Sequence, residues 1–260
     1  MTQWTDTTVG TVTSTNSSIN QPIEGIYWRG KHSATDWGAY LRNDVERKTP
    51  EEKGVYEDLP FTQGAEDFSL MYGERFFKMR TIVYEFLIPN VKYSERKGVQ
   101  LNFENWLLGS GESVLLDDHD KGMFYTGKFI KVDTTDDNEF SRLIVKATFQ
   151  AQPFKIGLVR EGHHYVDDMN LAVDVFQKVF FEVNGERVIK LYNNSVVSIV
   201  PYFQVTGNIT MEIETDDLII EVIADETSTR SEIFRLAVGM NYITLRGNGT
   251  IKYLWNKELI

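Results

Sequence analysis

The sequence predicts a mainly β chain, and three observations lead there. From Ile23 onward, short apolar and aromatic runs alternate with clusters of Gly, Pro, Asn and Asp, the pattern of many short strands separated by turns. In Asn208-Ile-Thr-Met-Glu-Ile-Glu214 the apolar side chains Ile209, Met211 and Ile213 fall on one side and Thr210, Glu212 and Glu214 on the other, so one face is core and the other wet. Only one stretch, between Ser94 and Leu108, carries a helical period.

The elements follow in order. Thr2 to Asn20 is dominated by Thr, Ser and Asn and reads as a polar arm, residues 1–21, outside any core. The segment Val45 to Gly64 carries charges of both signs together with Pro50 and Pro60, each of which interrupts a strand ladder. It is either a solvated surface loop or an arm that reaches a neighbouring subunit, and its length inside a compact domain favours keeping the second reading. Phe76 to Ile88 is β-branched and aromatic up to Pro89 and predicts one long core strand. A helix follows, because Val99, Phe103, Trp106 and Leu107 sit at i, i+4, i+7 and i+8 on one face, with Ser94 as N-cap and Gly109 as the stop.

Ser113 to Leu116, Met123 to Val132 and Phe140 to Phe149 read as three further strands separated by acidic turns. Pro153, in an otherwise apolar stretch, marks a domain boundary, giving domains of residues 22–152 and 153–260. Beyond it, Leu171 to Val183 and Arg187 to Tyr192 flank Asn184-Gly185, a hairpin signal because both central residues of a type I′ turn need positive φ. Tyr202 to Glu214, Leu218 to Ala224, Ile233 to Leu236, Tyr242 to Arg246 and Thr250 to Trp255 complete a set of short strands with the spacing of a β-sandwich.

Composition narrows the function. The 260 residues contain 42% apolar and 25% charged side chains, enough to build cores and unlike a disordered chain. No run of about 18 apolar residues occurs, and the start lacks a basic segment followed by an apolar one, so neither a membrane span nor a secretory route is expected. With no cysteine, disulfide scaffolds, thiolate metal sites and cysteine nucleophiles are excluded together. A formal charge of -11 opposes tight nucleic-acid binding, which concentrates Lys and Arg against phosphates. It is compatible with a pore wall along which a duplex slides without sticking.

Motifs for chemistry do not hold. Gly122-Met-Phe-Tyr-Thr-Gly127-Lys128 copies a phosphate-binding loop until Phe129 stands where Ser or Thr is needed, and it lies in strand-like sequence where the motif needs a helix N-terminus. His163 and His164 beside Asp167 and Asp168 point to opposite faces if extended. Counting from Asp117, a calcium loop meets Lys121 at its fifth and Lys128 at its twelfth position, and counting from Asp133 it meets Asn138 and Ile144 at the sixth and twelfth. Neither a Gly-x-Ser-x-Gly elbow nor a His-Glu-x-x-His pair occurs. The expectation is a protein with no catalytic residue, no metal and no cofactor.

One set of weak motifs, in order, does carry a resemblance. Ile26-Tyr-Trp-Arg-Gly30 and Asp36-Trp-Gly38 come first, then Pro60-Phe-Thr-Gln-Gly64, Tyr72-Gly-Glu-Arg-Phe-Phe77 and Arg80-Thr-Ile-Val-Tyr-Glu-Phe86. The helix ending in Trp106-Leu107, Phe124-Tyr-Thr-Gly127 and Thr148-Phe-Gln-Ala-Gln-Pro-Phe-Lys155 complete the series. In this order the chain resembles the distal tail proteins of siphophages that infect Gram-positive bacteria, over most of its length from Ile26. It departs from them at Pro60-Phe-Thr-Gln-Gly64, where the family carries Pro-Gly, and in its longer polar start.

The resemblance implies an N-terminal ring-forming domain with one helix, followed by a galectin-like β-sandwich. It further implies a hexameric ring of this chain that joins the tail tube protein to the tail-associated (tail-tip) protein and to receptor-binding or baseplate proteins. DNA passes through such a ring without specific binding. The protein would be a virion component assembled in the host bacterial cytoplasm. In that setting Glu46, Arg47, Lys48, Glu51, Glu52, Lys53, Tyr56 and Glu57 are the expected interface residues, from the segment that admits an arm reading. The alternative is a carbohydrate-binding adsorption module, for which Trp255 is the sandwich's one tryptophan platform.

Overall fold

The computed structural model describes residues 24–42, 45–61, 63–71, 73–162, 174–214 and 219–260. The expected polar arm and the His163 to Asp168 cluster lie outside the described residues. The chain is mainly β. In order it forms β1 (Ile26–Trp28), β2 (Lys31–His32), α1 (Ser33–Trp37), β3 (Tyr40–Leu41), β4 (Glu46–Arg47), β5 (Tyr56–Glu57), β6 (Glu66–Asp67), β7 (Arg80–Ile88) and α2 (Arg96–Leu108). There follow β8 (Ser113–Asp117), β9 (Met123–Asp137), β10 (Arg142–Ala151), β11 (Lys155–Gly157), β12 (Phe180–Asn193), β13 (Tyr202–Glu214), β14 (Ile219–Ala224), β15 (Gly239–Leu254) and β16 (Glu258–Leu259).

A first sheet runs β2-β1-β8-β9-β10-β7-β3, with β4 also on β7, β11 on β9 and β16 on β11. Alternation explains its core. Along β7, Arg80, Ile82, Tyr84, Phe86 and Ile88 are all buried, because every second side chain of a strand points to the same face. β7 starts at Arg80, later than the apolar run suggests: residues 76–78 pair instead with 51–53, through a Glu52–Phe77 bridge and the bonds Lys53 N to Phe76 O (2.8 Å) and Lys78 N to Glu51 O (2.7 Å).

Helix α2 covers this core. Phe103, Trp106 and Leu107 are buried and Val99 packs partly buried beside them. Edge-to-face and tilted ring contacts link Phe103 to Phe86 (5.4 Å), Trp106 (5.2 Å) and Trp37 (5.8 Å), the geometry that aromatic quadrupoles favour. The helix begins one turn position later than Ser94 predicts: Glu95 occupies the N-cap without a side-chain bond. A second helix, α1, is too short to show a period in the sequence. It exists because His32 Nδ1 accepts from Thr35 N–H (3.3 Å) and Gly38 closes it at φ 62°, a left-handed value that glycine adopts without a Cβ penalty.

The second sheet has the order β12-β15-β13-β14. Here the hairpin expected at Asn184-Gly185 is corrected, since β12 passes straight through it and pairs with β15 in unbroken register from Phe180↔Lys252 to Asn193↔Gly239. The break expected between Arg246 and Thr250 is likewise absent from β15, and Ile233 to Leu236 forms only a bridge from Leu236 to Ile199. The glycines bend strands here and do not reverse them. Gly185, Gly207, Gly247 and Gly249 have φ of 88°, 75°, 126° and 152°, and they face one another across β12, β15 and β13.

Both halves of the bent strands contribute to one core, as Phe181 and Val183 share it with Ile189 and Leu191, and Phe203 and Val205 with Ile209 and Met211. The bend is the device that lets one face of the three long strands β12, β13 and β15 close on itself. A Cβ at Gly249 would lie 1.8 Å from Thr206 O, closer than any real contact. Gly249→Ala is therefore expected to cost about 2–3 kcal/mol through strain and strand separation, read as a lower melting temperature. An unchanged melt would show that the strands approach less closely than this.

Candidate subunit interface

Residues 48–79 leave the first sheet after β4 and return at β7 as a two-stranded ribbon. Its stem is the 51–53/76–78 pairing described above, reinforced by Arg75 on Glu52 (Nε to Oε1 2.9 Å) and Lys78 on Glu51 (3.2 Å). The Arg75 hydrogen bond holds the Glu52 carboxyl below its ordinary range. Further out, β5 pairs with β6, and Phe68 N–H donates to Val55 O at 2.8 Å.

The ribbon's side chains are exposed although many are apolar. Val55, Tyr56, Leu59, Phe61, Phe68, Leu70 and Met71 are each at least 40% accessible, and among the described residues no apolar side chain between 46 and 81 belongs to either core. Isolated exposed apolar residues need no explanation, but seven within 17 positions on one projection make it a candidate contact surface. Phe61 also takes φ 70°, an uncommon conformation for a bulky residue that costs free energy in the isolated chain.

The root of the ribbon is pinned by charge. Arg47 donates twice to Asp117, Nε to Oδ2 at 2.9 Å and Nη2 to Oδ1 at 3.0 Å, a bidentate fork. The Tyr84 hydroxyl donates to the same carboxylate (3.1 Å), as does His119 N–H (3.0 Å). Burial and the neighbouring Asp117 push the Tyr84 hydroxyl well above its usual range, so it stays a donor. Nearby, burial opposes ionisation of Asp120, yet the Tyr125 hydroxyl and the Lys155 ammonium (3.1 Å) hold its carboxyl below the ordinary range. Arg80, 3% exposed, donates to Lys48 O (2.8 Å) and Pro153 O (3.5 Å).

The residues singled out from sequence thus separate into three places. Glu46 and Arg47 are in the first sheet as β4, with Arg47 directed to the buried Asp117. Lys48 gives its carbonyl to Arg80, while Glu51, Glu52 and Lys53 form the stem. Tyr56 and Glu57 lie on the projecting β5, Tyr56 62% exposed. Sequence reasoning passed over Leu59, Phe61, Phe68, Leu70 and Met71; their signal is an apolar count too high for a solvated loop. Asp117, read as a failed calcium ligand, is the ribbon's anchor. Among the described residues no group of three or more His, Cys, Asp or Glu side chains is placed to hold a metal ion, and no helix is long and apolar enough to cross a membrane. Trp255 is 3% exposed in the second core.

By sequence, no protein family matches the chain, and no curated protein does. By structure, the crystal structure of the SPP1 Dit protein, described as a paradigm of the hub adsorption apparatus in phages infecting Gram-positive hosts, superposes with a TM-score of 0.63. The match covers 92% of this chain and 100% of that one at 9% identity. The chain has the fold of a Dit protein. Chains of the phage P2 baseplate in its activated conformation, with calcium and with strontium, also match, with TM-scores of 0.37 and 0.36, 8% identity, and 84% of this chain against 90% of those. The Dit fold spans both sheets and therefore both sides of Pro153.

Proposed function

We propose that this chain is the distal tail protein of a siphophage: a structural hub whose copies close into a hexameric ring between the tail tube protein and the tail-associated protein of the tip. Residues 22–152 are the ring-forming part, and residues 153–260 face outward toward receptor-binding or baseplate proteins. The observation that carries this reading is the apolar ribbon, which lies outside both cores on a fold shared end to end with a phage hub protein. A ring needs head-to-tail surfaces that differ from one another and close, and a ribbon projecting from one side of the subunit supplies one of the two. The protein acts as a virion component assembled in the host cytoplasm, without cofactor or turnover. Carboxylates outnumber basic groups on its lumen wall, so that DNA passes without counterion-release binding.

The sugar-binding alternative loses its platform, because Trp255 is a core residue. The ring itself is tested by truncation. Deleting Glu46 to Glu57, the span that sequence alone marks out, would also remove Arg47 from Asp117. Replacing residues 56–67 with Asn-Gly spares the root, because Val55 and Phe68 on either side are already hydrogen-bonded and a two-residue turn can join them. The expected result, by negative-stain electron microscopy and mass photometry, is hexameric rings for the full protein and their loss in the truncated one, with the melting temperature unchanged. Monomer alone for the full protein, with tail tube and tail-tip partners present, would overturn the hub reading.

A further inference from the structure

The polar contacts that join the first sheet to the second core gather in two places. One is the chain crossing itself, where β11 pairs with β9 on one side and with β16 on the other, through Lys155↔Leu259 and Ile156↔Glu258. Leu158 N–H to Gly122 O (2.8 Å) and Gly157 N–H to Lys257 O (2.8 Å) belong to it. Glu258 adds to it by donating its N–H to Ser195 Oγ (2.9 Å) and accepting from Val196 N–H (2.9 Å), and Asn256 Nδ2 donates to Gly157 O (2.7 Å).

The second place involves the ribbon. Glu74, where the ribbon returns toward β7, accepts from Ser198 Oγ at 2.8 Å and from Ser198 N–H at 3.2 Å with the same oxygen, Oε2. Its other oxygen faces Arg235 at 3.9 Å, and Arg235 in turn donates to Ser198 Oγ (3.3 Å). Hydrogen bonds to an ionised acceptor are the stronger kind, and this set spans 124 positions of sequence. The ribbon is fastened to the crossing as well. Phe77 packs edge-on against Phe154 at 5.6 Å, and the buried Arg80 bonds carbonyls of both Lys48 and Pro153.

We propose that Glu74 is a positioning residue that clamps the C-terminal sandwich to the ribbon through Ser198 and Arg235, so that the sandwich is held in one orientation relative to the ribbon and the first sheet that roots it. A charged contact from a different segment of the first domain narrows the orientations that the bonds of the crossing allow. Its consequence rests on the hub reading: when the ribbon docks on a neighbouring subunit, the same contact sets the direction in which the sandwich faces its baseplate partner. Ring closure and presentation of the outward domain are then coupled, in the sense that each restricts the states open to the other.

The chain has no cysteine, so paired spin labels can be placed without background. Labels at Glu66→Cys on the ribbon and Glu221→Cys on the sandwich, both exposed positions, report their separation by pulsed electron resonance in the full-length monomer, at a dilution below ring formation. A single narrow distance distribution is expected for the otherwise native chain. Glu74→Ala combined with Ser198→Ala is expected to broaden it, and Glu74→Gln, which keeps an acceptor for Ser198 but drops the charge toward Arg235, to broaden it less.

Near-ultraviolet circular dichroism checks that the cores persist; if the double variant fails that check, Glu74→Gln alone decides. A distribution unchanged in a folded variant overturns the clamp. Because the measurement is made on monomer, its outcome is separate from that of the hub: broadening without rings leaves the clamp standing and the hub fallen, and rings without broadening do the reverse.

Discussion

Replacing Trp106 with alanine is expected to destabilise the first core by about 3–5 kcal/mol, the usual cost of truncating a buried aromatic side chain. The indole is 8% exposed and touches Trp37 at 5.4 Å and Phe103 at 5.2 Å. Its Nε1–H donates to the Trp28 carbonyl at 3.1 Å, so it ties α2 to β1 as well as filling space. Trp28 is itself central, in edge contact with Phe129 and Phe149, and a cavity at Trp106 therefore opens against rings that already hold one another and cannot collapse freely. Trp106→Phe keeps most of the volume and loses the donor, for which about 1 kcal/mol is the expected hydrogen-bond part. Urea unfolding followed by circular dichroism distinguishes the two. An alanine variant with an unshifted midpoint would mean that α2 does not hold this face against the sheet.

The helix could be read in advance because its signal is local. Val99, Phe103, Trp106 and Leu107 recur at helical spacing between a polar start and a glycine, and their packing obeys that spacing. For the same reason β13 has the bounds its alternation predicted, Tyr202–Glu214. What escaped is non-local. Asn184-Gly185 has the composition of a turn, and only the opposing Gly247 and Gly249 on β15 turn it into a bend within a continuous strand; a single strand's sequence does not carry its partner's. The apolar run from Phe76 was split because its first residues found Glu51 to Lys53 as partners. Prolines and charges mark the ribbon in the sequence, while the exposure of its apolar residues becomes visible only when the cores are known to be complete without them.

The Arg47–Asp117 pair gives the other large expected effect, and its asymmetry is the informative part. Asp117's side chain has no accessible surface, whereas 21% of Arg47's remains exposed. Arg47→Met leaves a carboxylate in the first core with only the Tyr84 hydroxyl and the His119 N–H to stabilise it, and breaking a buried pair from one side in this way costs about 3–5 kcal/mol. Asp117→Asn is expected to cost less, because the freed guanidinium can turn toward water and the amide oxygen can still accept one bond. Arg47→Met with Asp117→Leu removes both charges and is expected to recover much of the single variant's loss, since apolar replacement of a buried pair is often close to neutral; recovery stays incomplete because the Tyr84 hydroxyl then lacks its acceptor. The pair also holds the ribbon's root, so Arg47→Met should reduce ring formation by more than its stability loss explains, whereas the double variant restores stability without restoring the anchor. Urea midpoints for the three variants, set beside the fraction of rings at matched folded protein, measure both effects. If Arg47→Met unfolds within about 0.5 kcal/mol of the native chain, the range of an ordinary surface substitution, then the fork onto Asp117 adds nothing and the root is held by the β4 pairing and the Arg80 bond to Lys48.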